Sequence, residues 1–296
     1  NKGNSVDSSI LAYSDGKVTA TSNKTVFCYL YFEYLPKAYA IYSETDNSLR
    51  FYNNKDVEGL KETYNNLSVT NVYTEFINNS YTSASSIPWN NNASNIKNIV
   101  VEEEIKPADM SYWFSELRNA EKLNLLKVDT SSVASISYTF SYTGYNTNSF
   151  QMDVSNWNTS KVTNMQGTFY FTGYKATEWD IGDLSNWQTG NVTDFYRLFS
   201  RAGYSADAFN IGDISNWDTS KVTRMRSTFY ETGNKATEWF IGDLSNWNTT
   251  KVTDMMEMFC HVALEASAFD VGSLGNWDVS NVINMSRMFD HAGWKV

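Results

Sequence analysis

A repeat of 30 residues constrains this sequence more than any other feature. The segment SNWNTSKVTNMQGTF begins at Ser155 and returns four times along the rest of the chain. A fixed period of this length is typical of stacked repeats, because each small unit buries its apolar face only against a neighbour. Two sets of aromatic residues carry the spacing: Trp157, Trp187, Trp217, Trp247 and Trp277, and Phe169, Phe199, Phe229, Phe259 and Phe289.

The first half of each repeat has the pattern of a strand followed by a helix. Residues 181–185 form a short run bounded by turn residues, which predicts one brief strand. The Thr-Ser pair at 159–160 offers hydroxyl groups for a helix N-cap. Behind it, Val162, Met165 and Phe169 fall at positions i, i+3 and i+7, which is one face of a helix of about three turns.

The second half of each repeat predicts a helix end and a loop. Gly173, Gly203 and Gly233 stand four residues after the repeated phenylalanines, where glycine commonly ends a helix. A strand, a helix and a loop repeated in one direction predict an α/β solenoid with a parallel sheet, in which equivalent residues stack about 5 Å apart. The loop carries one aromatic residue in each repeat: Phe150, Trp179, Phe209, Trp239 and Phe269.

The N-terminal part of the chain lacks the repeat and predicts a separate, mostly β cap. We assign residues 1–95 to this cap and residues 96–296 to a solenoid of about six to seven repeats, since end units commonly close a solenoid. The local patterns predict hairpins over residues 10–21 and 38–52, a buried strand over residues 26–34 and a short helix over residues 55–64.

Composition excludes several classes of protein. The net charge of −10 argues against a nucleic-acid partner and disfavours an anionic membrane surface. No apolar run approaches the about 18 residues of a transmembrane helix, and no signal peptide is recognisable. The chain does not begin with Met, so we expect a trimmed protein whose export and anchoring signals lie outside it. Cys28 and Cys260 lie far apart, and we expect no disulfide between them.

Several segments resemble a known family. The segments AYAIYS at residues 38–43, LRFY at 49–52, IVV at 99–101 and YWF at 112–114, together with the SNW units, resemble the BspA-like leucine-rich-repeat surface proteins of bacteria. The resemblance covers residues 38–296 and implies a leucine-rich-repeat-type solenoid, a bacterial cell-surface location, attachment to host or neighbouring cells and no catalytic residues. The 30-residue unit is longer than usual for this family, and no wall-sorting or lipid-attachment motif is visible.

A row of aspartates is the first candidate site. Its members share one repeat position, and Ser273 ends the row. Like charges one repeat apart would repel, and a bound Ca²⁺ would relieve the repulsion. The alternatives are a solvated face or carboxylates bonded to local backbone amides, and we favour these. We predict a binding surface on the strand face: Asp153, Asp183, Ser185, Asn186, Asp213, Ser215, Asn216, Asp243, Ser245 and Asn246.

Aromatic side chains offer a second candidate site. In leucine-rich-repeat spacing Leu184 and Trp187 turn inward, which predicts that the repeated tryptophans are core residues. Loop aromatics would suit the flat faces of sugar rings, and this glycan hypothesis fails if they are buried. The rings in question are Tyr174, Tyr204, Trp179 and Trp239.

A histidine pair raises the question of a metal. His261 and His291 lie one period apart, beside Cys260 and Asp290. A metal site needs three or four closely placed ligands, and the other repeats have Phe, Arg and Glu at the histidine position, so we favour exposed residues at helix ends. No phosphate-binding loop or catalytic triad order occurs. We therefore expect no enzyme activity, no metal and no cofactor.

The sequence predicts a non-enzymatic, extracellular protein of the bacterial cell surface that binds macromolecules through its repeat face. The expected partner is a host or neighbouring-cell surface or matrix protein, with a glycan as a further possibility. Two alternatives stay open: a glycan-binding module that uses loop aromatics, and a structural stalk that projects another domain.

Overall fold

The computed structural model describes residues 38–53, 63–64 and 66–296, together with the backbone of residues 11–14 and 17–20. The chain divides into two compact units, residues 1–35 and 36–296. In the first unit Leu11–Ser14 (β1) and Lys17–Ala20 (β2) pair antiparallel, as the predicted hairpin requires. The strand predicted at 26–34 and most of the helix predicted at 55–64 lie outside the described residues. Residues 63–64 of that segment form a strand.

One mixed sheet runs through most of the second unit. The strands of this unit are Tyr39–Ser43 (β3), Ser48–Tyr52 (β4), Thr63–Tyr64 (β5), Leu67–Ser68 (β6), Asn71–Tyr73 (β7), Asn98–Val101 (β8), Lys122–Asn124 (β9), Ser149–Met152 (β10), Glu178–Asp180 (β11), Ala208–Asn210 (β12) and Glu238–Phe240 (β13). Strands β3 and β4 confirm the hairpin predicted at 38–52, and β8 joins β4 in parallel. The order of the mixed sheet is β11-β10-β9-β8-β4-β3-β7, while β12 and β13 form a parallel pair and β5 and β6 an antiparallel one.

Each repeat contributes its strand earlier than the sequence predicted. The predicted strand at residues 181–185 is wrong, because β11 ends at Asp180 and Gly182 has a φ of +83° that an extended strand does not adopt. In β11 the exposed Glu178 and Asp180 flank the buried Trp179, the alternation of a strand with one face in the core. Four of the five predicted loop aromatics, Phe150, Trp179, Phe209 and Trp239, are therefore strand residues, whereas Phe269 lies outside the strands and packs against Trp239.

The predicted helix in each repeat is wrong, and so is the α/β fold class. No α-helix occurs in the described part of the chain, which is almost all β. The segment from Met165 to Gly173 is a succession of tight turns. The amide of Thr168 donates to Met165 three residues back, and the amide of Phe169 donates to Leu198 in the next repeat at 2.8 Å. The described helical pieces are three short 3₁₀ turns: Ala84–Ser86, Asn90–Asn92 and Leu274–Asn276.

Backbone geometry explains why no helix forms there. Gly167, Phe171 and Gly173 all have φ near +56 to +59°, the left-handed region, which a right-handed helix excludes. Each of these left-handed residues changes the direction of the chain. As a result, the amides of alternate residues point towards the next repeat. Phe171 donates to Ser200 at 2.9 Å, a bond to the next repeat in place of a helical bond. The same arrangement recurs in the following repeats and joins each one to its successor.

The core consists of aromatic columns along the stack, which confirms the predicted burial of the repeated tryptophans. Their indole rings lie 6.3 to 6.5 Å apart and within 6° of parallel. A column of phenylalanines from Phe114 to Phe289 has ring spacings of 5.2 to 5.6 Å. Aromatic pairs of this kind contribute about 0.5–1.5 kcal/mol each beyond the area they bury.

The first end of the stack is filled by a cluster of large aromatic rings. Phe51 in β4 packs edge-on against Trp89 at 5.3 Å and lies parallel to Trp113 at 6.0 Å, while Phe76 contacts both tryptophans. The Trp89 Nε1 donates to the carbonyl of Trp113 at 2.8 Å. The boundary proposed between residues 95 and 96 stays a prediction, and the sheet passes from β4 to β8 across it.

Candidate binding face of the repeat stack

Each aspartate of the predicted row holds a turn. The Oδ1 atom of Asp183 accepts a hydrogen bond at 2.8 Å from the amide of Ser185, two residues on, and the three equivalent aspartates do the same at 2.8–2.9 Å. This is the local backbone bonding that we favoured for the row. The turns follow directly after the strands, so the row lies at the carboxyl ends of the strands and not on them.

Glycine in the next repeat fixes the position of each carboxylate. Gly212 has a φ of +82°, and a Cβ atom on it would lie 1.9 Å from the Oδ1 of Asp183. Gly242 stands in the same relation to Asp213, at 2.0 Å. Only glycine combines this backbone conformation with such close approach. Each of these glycines therefore leaves room for the carboxylate of the preceding repeat.

Hydrogen bonding keeps members of this row ionised. Bonds from the side chain and amide of Ser155 lower the pKa of Asp153, and bonds from the amide and side chain of Ser245 lower the pKa of Asp243. Bonds to a carboxylate favour its charged form. These two groups are negatively charged at neutral pH.

The predicted binding residues lie together along one side of the stack. Their aspartate and asparagine side chains are exposed, while the serines are half-buried. The exposed members are Asp153, Asp183, Asn186, Asp213, Asn216, Asp243 and Asn246; the half-buried members are Ser185, Ser215 and Ser245.

Beside this row lies a continuous depression, which we call the acidic trough. Three hollows of about 410, 660 and 440 Å³ follow one another, with Asp180 lining the first two and Asp213 the last two. The trough thus extends over six successive levels of the stack, from residues 122–126 to residues 268–272. Its carboxylates are Asp153, Asp180, Asp183, Asp213, Asp243 and Asp270.

Sequence reasoning missed two of the six carboxylates of the trough. Asp180 and Asp270, together with Asn210, occupy one repeat position, and each accepts a bond at 2.8–2.9 Å from the glycine amide two residues on. Phe240 takes that position in the remaining repeat, and its side chain is 48% exposed. The available signal was the exposed–buried–exposed alternation of the strands, which the predicted loop concealed.

The trough has a strong imbalance of charge. Among the described residues that line it, Lys122 is the one cation against six aspartates. The exposed ring of Phe240 lines both the second and the third hollow and adds an apolar contact. A concave, acidic surface of this kind attracts cationic groups.

The rings proposed for glycan binding do not form an open platform. Trp179 and Trp239 are buried in the strands, with 8% and 7% of their surface exposed. Tyr174 lies between Tyr145 and Tyr204, with ring centroids 4.9 and 4.7 Å away, so its faces are covered by its neighbours. The glycan hypothesis loses its two tryptophans.

The residues of the possible metal pair meet at the last two repeats. The side-chain donor atoms of Cys260, His261 and Asp290 lie within 4.8 Å of one another, and the rings of His261 and His291 stack at 4.9 Å. The predicted location at helix ends is wrong, since these residues lie in the series of tight turns that each repeat has in place of the predicted helix. Burial raises the pKa of the Cys260 thiol to about 11.

Fold and site together define a stack of parallel β repeats that presents one acidic face. The chain belongs to the family described as Mycoplasma protein of unknown function, DUF285, whose model matches residues 108–206 and 202–294. Searches of the curated proteins and of the solved structures found no significant match. Within the described residues, no helix has the length and apolar character needed to cross a membrane. The resemblance to BspA-like surface proteins stays a prediction.

Proposed function

We propose that this protein is a non-enzymatic binding protein of the bacterial cell surface, which attaches to a macromolecule through the acidic trough. The partner is a protein with an exposed basic segment, on a host or neighbouring cell or in the surrounding matrix. The observation that carries this proposal is the trough itself, with six aspartates along one concave side.

The shape of the trough favours an extended partner segment. Its three hollows continue one another over six levels of the stack, and equivalent positions recur at the spacing of neighbouring strands. Lysine or arginine side chains of an extended chain would meet successive aspartates. The ring of Phe240 would contact an apolar side chain between them.

Electrostatics sets the expected behaviour of such a complex. Exposed aspartates at a solvated rim contribute chiefly to the rate of association and to the choice of partner. Their effect weakens as salt screens charges over about 8 Å at physiological ionic strength. We therefore expect binding that is saturable and sensitive to salt.

The test is a solid-phase panel of matrix and cell-surface proteins, together with host and microbial polysaccharides. The decisive variant combines Asp183→Asn, Asp213→Asn and Asp243→Asn. Asparagine keeps an Oδ1 acceptor for the turn, as Asn158 and Asn248 do elsewhere in the repeats, so the change removes charge and keeps the fold. We expect at least tenfold weaker binding to the protein partner.

A matched control removes the same charge elsewhere. Asp218→Asn, Asp254→Asn and Asp278→Asn affect turns of the same kind that do not line the trough, and binding should stay as in the original protein. Equal binding by both triple variants would exclude the trough. A hit limited to polysaccharides would favour the glycan alternative, and the absence of any partner would favour the stalk.

A further inference from the structure

Four side chains with metal-binding groups meet where the last two repeats adjoin. Cys260 and His261 come from one turn run, and Asp290 and His291 occupy the same two positions of the next. His261 has a φ of +57°, a reversal that brings its ring to the same side as the thiol of the preceding residue. The site is separate from the acidic trough.

The distances within this cluster suit a single cation. The Cys260 Sγ and His261 Nδ1 atoms lie 3.4 Å apart. A sulfur and a nitrogen that share a tetrahedral zinc ion stand about 3.5 Å apart, given bonds of about 2.3 and 2.0–2.1 Å. A carboxylate oxygen of Asp290 completes a group of three donors that lie within 4.8 Å of one another.

The carboxylate of Asp290 is held by two neighbours and keeps acceptor capacity. Its Oδ2 accepts from Arg287 Nε at 2.9 Å, and its Oδ1 lies 2.5 Å from His291 Nδ1. A carboxylate offers about four lone-pair sites, so each oxygen retains one for a further partner. Bonds of this type orient metal-binding groups in many sites.

We propose that Cys260, His261 and Asp290 bind a zinc ion that links the last two repeats, with water as the fourth ligand. A thiolate, an imidazole and a carboxylate form a donor set that zinc takes readily. Alkali and alkaline-earth cations prefer oxygen ligands alone and fit poorly. Because the ligands come from two repeats, the bound ion stabilises their junction.

The test measures metal binding by the full chain, prepared free of metal. Isothermal titration with ZnCl₂ should give one ion per chain. Cys260→Ser and His261→Asn should each weaken binding at least tenfold. Cys28→Ser, which removes the other thiol of the chain, and Asp278→Asn, which removes a carboxylate elsewhere, should bind zinc as the original protein does. Zinc should also raise the unfolding temperature of the original protein and not that of Cys260→Ser.

In the original protein, cobalt substitution gives a readout that does not depend on the folding of any binding-site variant. Co²⁺ bound to a thiolate absorbs in the near ultraviolet, and the original protein and Cys28→Ser should both develop this band. Circular dichroism of the metal-free variants checks that they keep the fold. A lack of zinc binding, a missing cobalt band, loss of the band in Cys28→Ser, or undiminished zinc binding by a folded Cys260→Ser would each overturn the proposal.

Discussion

Gly212 is a residue at which a single added methyl group should be costly. Its φ of +82° is unfavourable for any residue with a Cβ, and that atom would lie 1.9 Å from the Oδ1 of Asp183. We expect Gly212→Ala to lower the free energy of unfolding by about 1–3 kcal/mol from backbone strain, with displacement of Asp183 in addition. Urea denaturation followed by circular dichroism measures this change.

Gly275 provides the matched control for this substitution. A Cβ atom at Gly275 would have Ser273 Oγ as its nearest neighbour, at 3.7 Å, which is an ordinary contact. Gly275→Ala should leave the free energy of unfolding within about 0.5 kcal/mol of the original value. Equal stability of the two alanine variants would mean that the aspartate row is not held by the glycines.

Asp129 makes stability depend on pH. A bond from Lys106 Nζ at 2.6 Å, aided by bonds from Ser131, lowers its pKa from 3.8 to about 2. The unfolded chain therefore takes up this proton first as the pH falls, so the stabilisation is complete above about pH 4 and is lost towards pH 2. Because Lys106 is largely exposed, we expect Asp129→Asn to cost about 1 kcal/mol or less at pH 7.

Denaturation across the acidic range tests this prediction. The difference between the original protein and Asp129→Asn should shrink steadily below about pH 4. In a Lys106→Gln background, Asp129→Asn should have a smaller effect at pH 7, since the ion pair is already absent. A difference that persists unchanged at pH 2 would show that the carboxylate acts through packing and not through its charge.

At the scale of the element, the sequence correctly predicted the period and the buried residues, which depend on regular spacing. It did not predict the strand positions or the tight turns, which depend on residues with left-handed backbone conformations. The 30-residue period and the inward Leu184 and Trp187 follow from the regular placement of apolar residues, and the structure confirms them as buried. The strand position was wrong by three residues. Glu178, Trp179 and Asp180 form a strand too short for alternation to stand out from a loop.

The helix failed for a physical reason. Val162, Met165 and Phe169 have the spacing of a helix face. A series of tight turns, in which an amide donates to the carbonyl three residues earlier, places apolar side chains at the same spacing. The contrary signal was Gly167 inside the supposed helix, which has a φ of +59°. Phe171 takes a similar conformation without being glycine, and no sequence rule indicates that. The bonds between repeats outweigh its intrinsic cost.

The tryptophan column predicts unequal effects of one substitution. Trp217 Nε1 donates to the carbonyl of Leu184 at 3.0 Å, and the amide of Trp187 donates to the same carbonyl at 3.0 Å, so Trp217→Phe removes one of two hydrogen bonds to this oxygen. In the described part of the chain the Nε1 of Trp157 has no hydrogen-bond partner, so Trp157→Phe loses no such bond. We expect Trp217→Phe to cost about 0.5–1.5 kcal/mol more than Trp157→Phe.

Chemical denaturation of the two variants side by side measures this difference. Both substitutions remove a similar volume from the same column, in which Trp157 and Trp187 lie 6.3 Å apart and Trp187 and Trp217 also 6.3 Å. The cavity cost is therefore comparable and cancels in the comparison. Equal losses would indicate that packing alone, without the indole hydrogen bonds, sets the register of the repeats.

At the scale of the whole molecule, the candidate site depends on stacking more than on any one motif. The aspartate row at 153, 183, 213 and 243 was visible in the sequence because its members share one repeat position. Asp180, Asp270 and Phe240 join it only because the strands end beside the turns, and a mistaken strand position hides that relation. A site of this kind can be recognised from the sequence once the positions of the strands in each repeat are known.

Stacking also predicts that the protein tolerates the loss of one whole repeat. Each repeat bonds mainly to its neighbours, so stability is approximately a sum of repeat and junction contributions. Deletion of residues 208–237 removes one 30-residue period and leaves Asp207 followed by Glu238, which restores the succession of repeat positions that Thr177 and Glu178 occupy. Trp187 would then stack on Trp247, and the indole of Trp247 would reach the carbonyl of Leu184. We expect a folded, compact protein whose urea m-value falls with the surface removed.

Deletion of residues 208–222, half a period, is the matched control. It removes fewer residues but places the tight turns of one repeat beside the strand of the next. The aromatic columns and the hydrogen bonds between repeats then lose their partners on both sides of the junction. Size-exclusion chromatography and circular dichroism should find this variant expanded or aggregated, although it is the longer chain. If the half-period deletion folded as well as the full-period one, the register of the aromatic columns would not be what holds the stack together, and stability would have to come from contacts within each repeat.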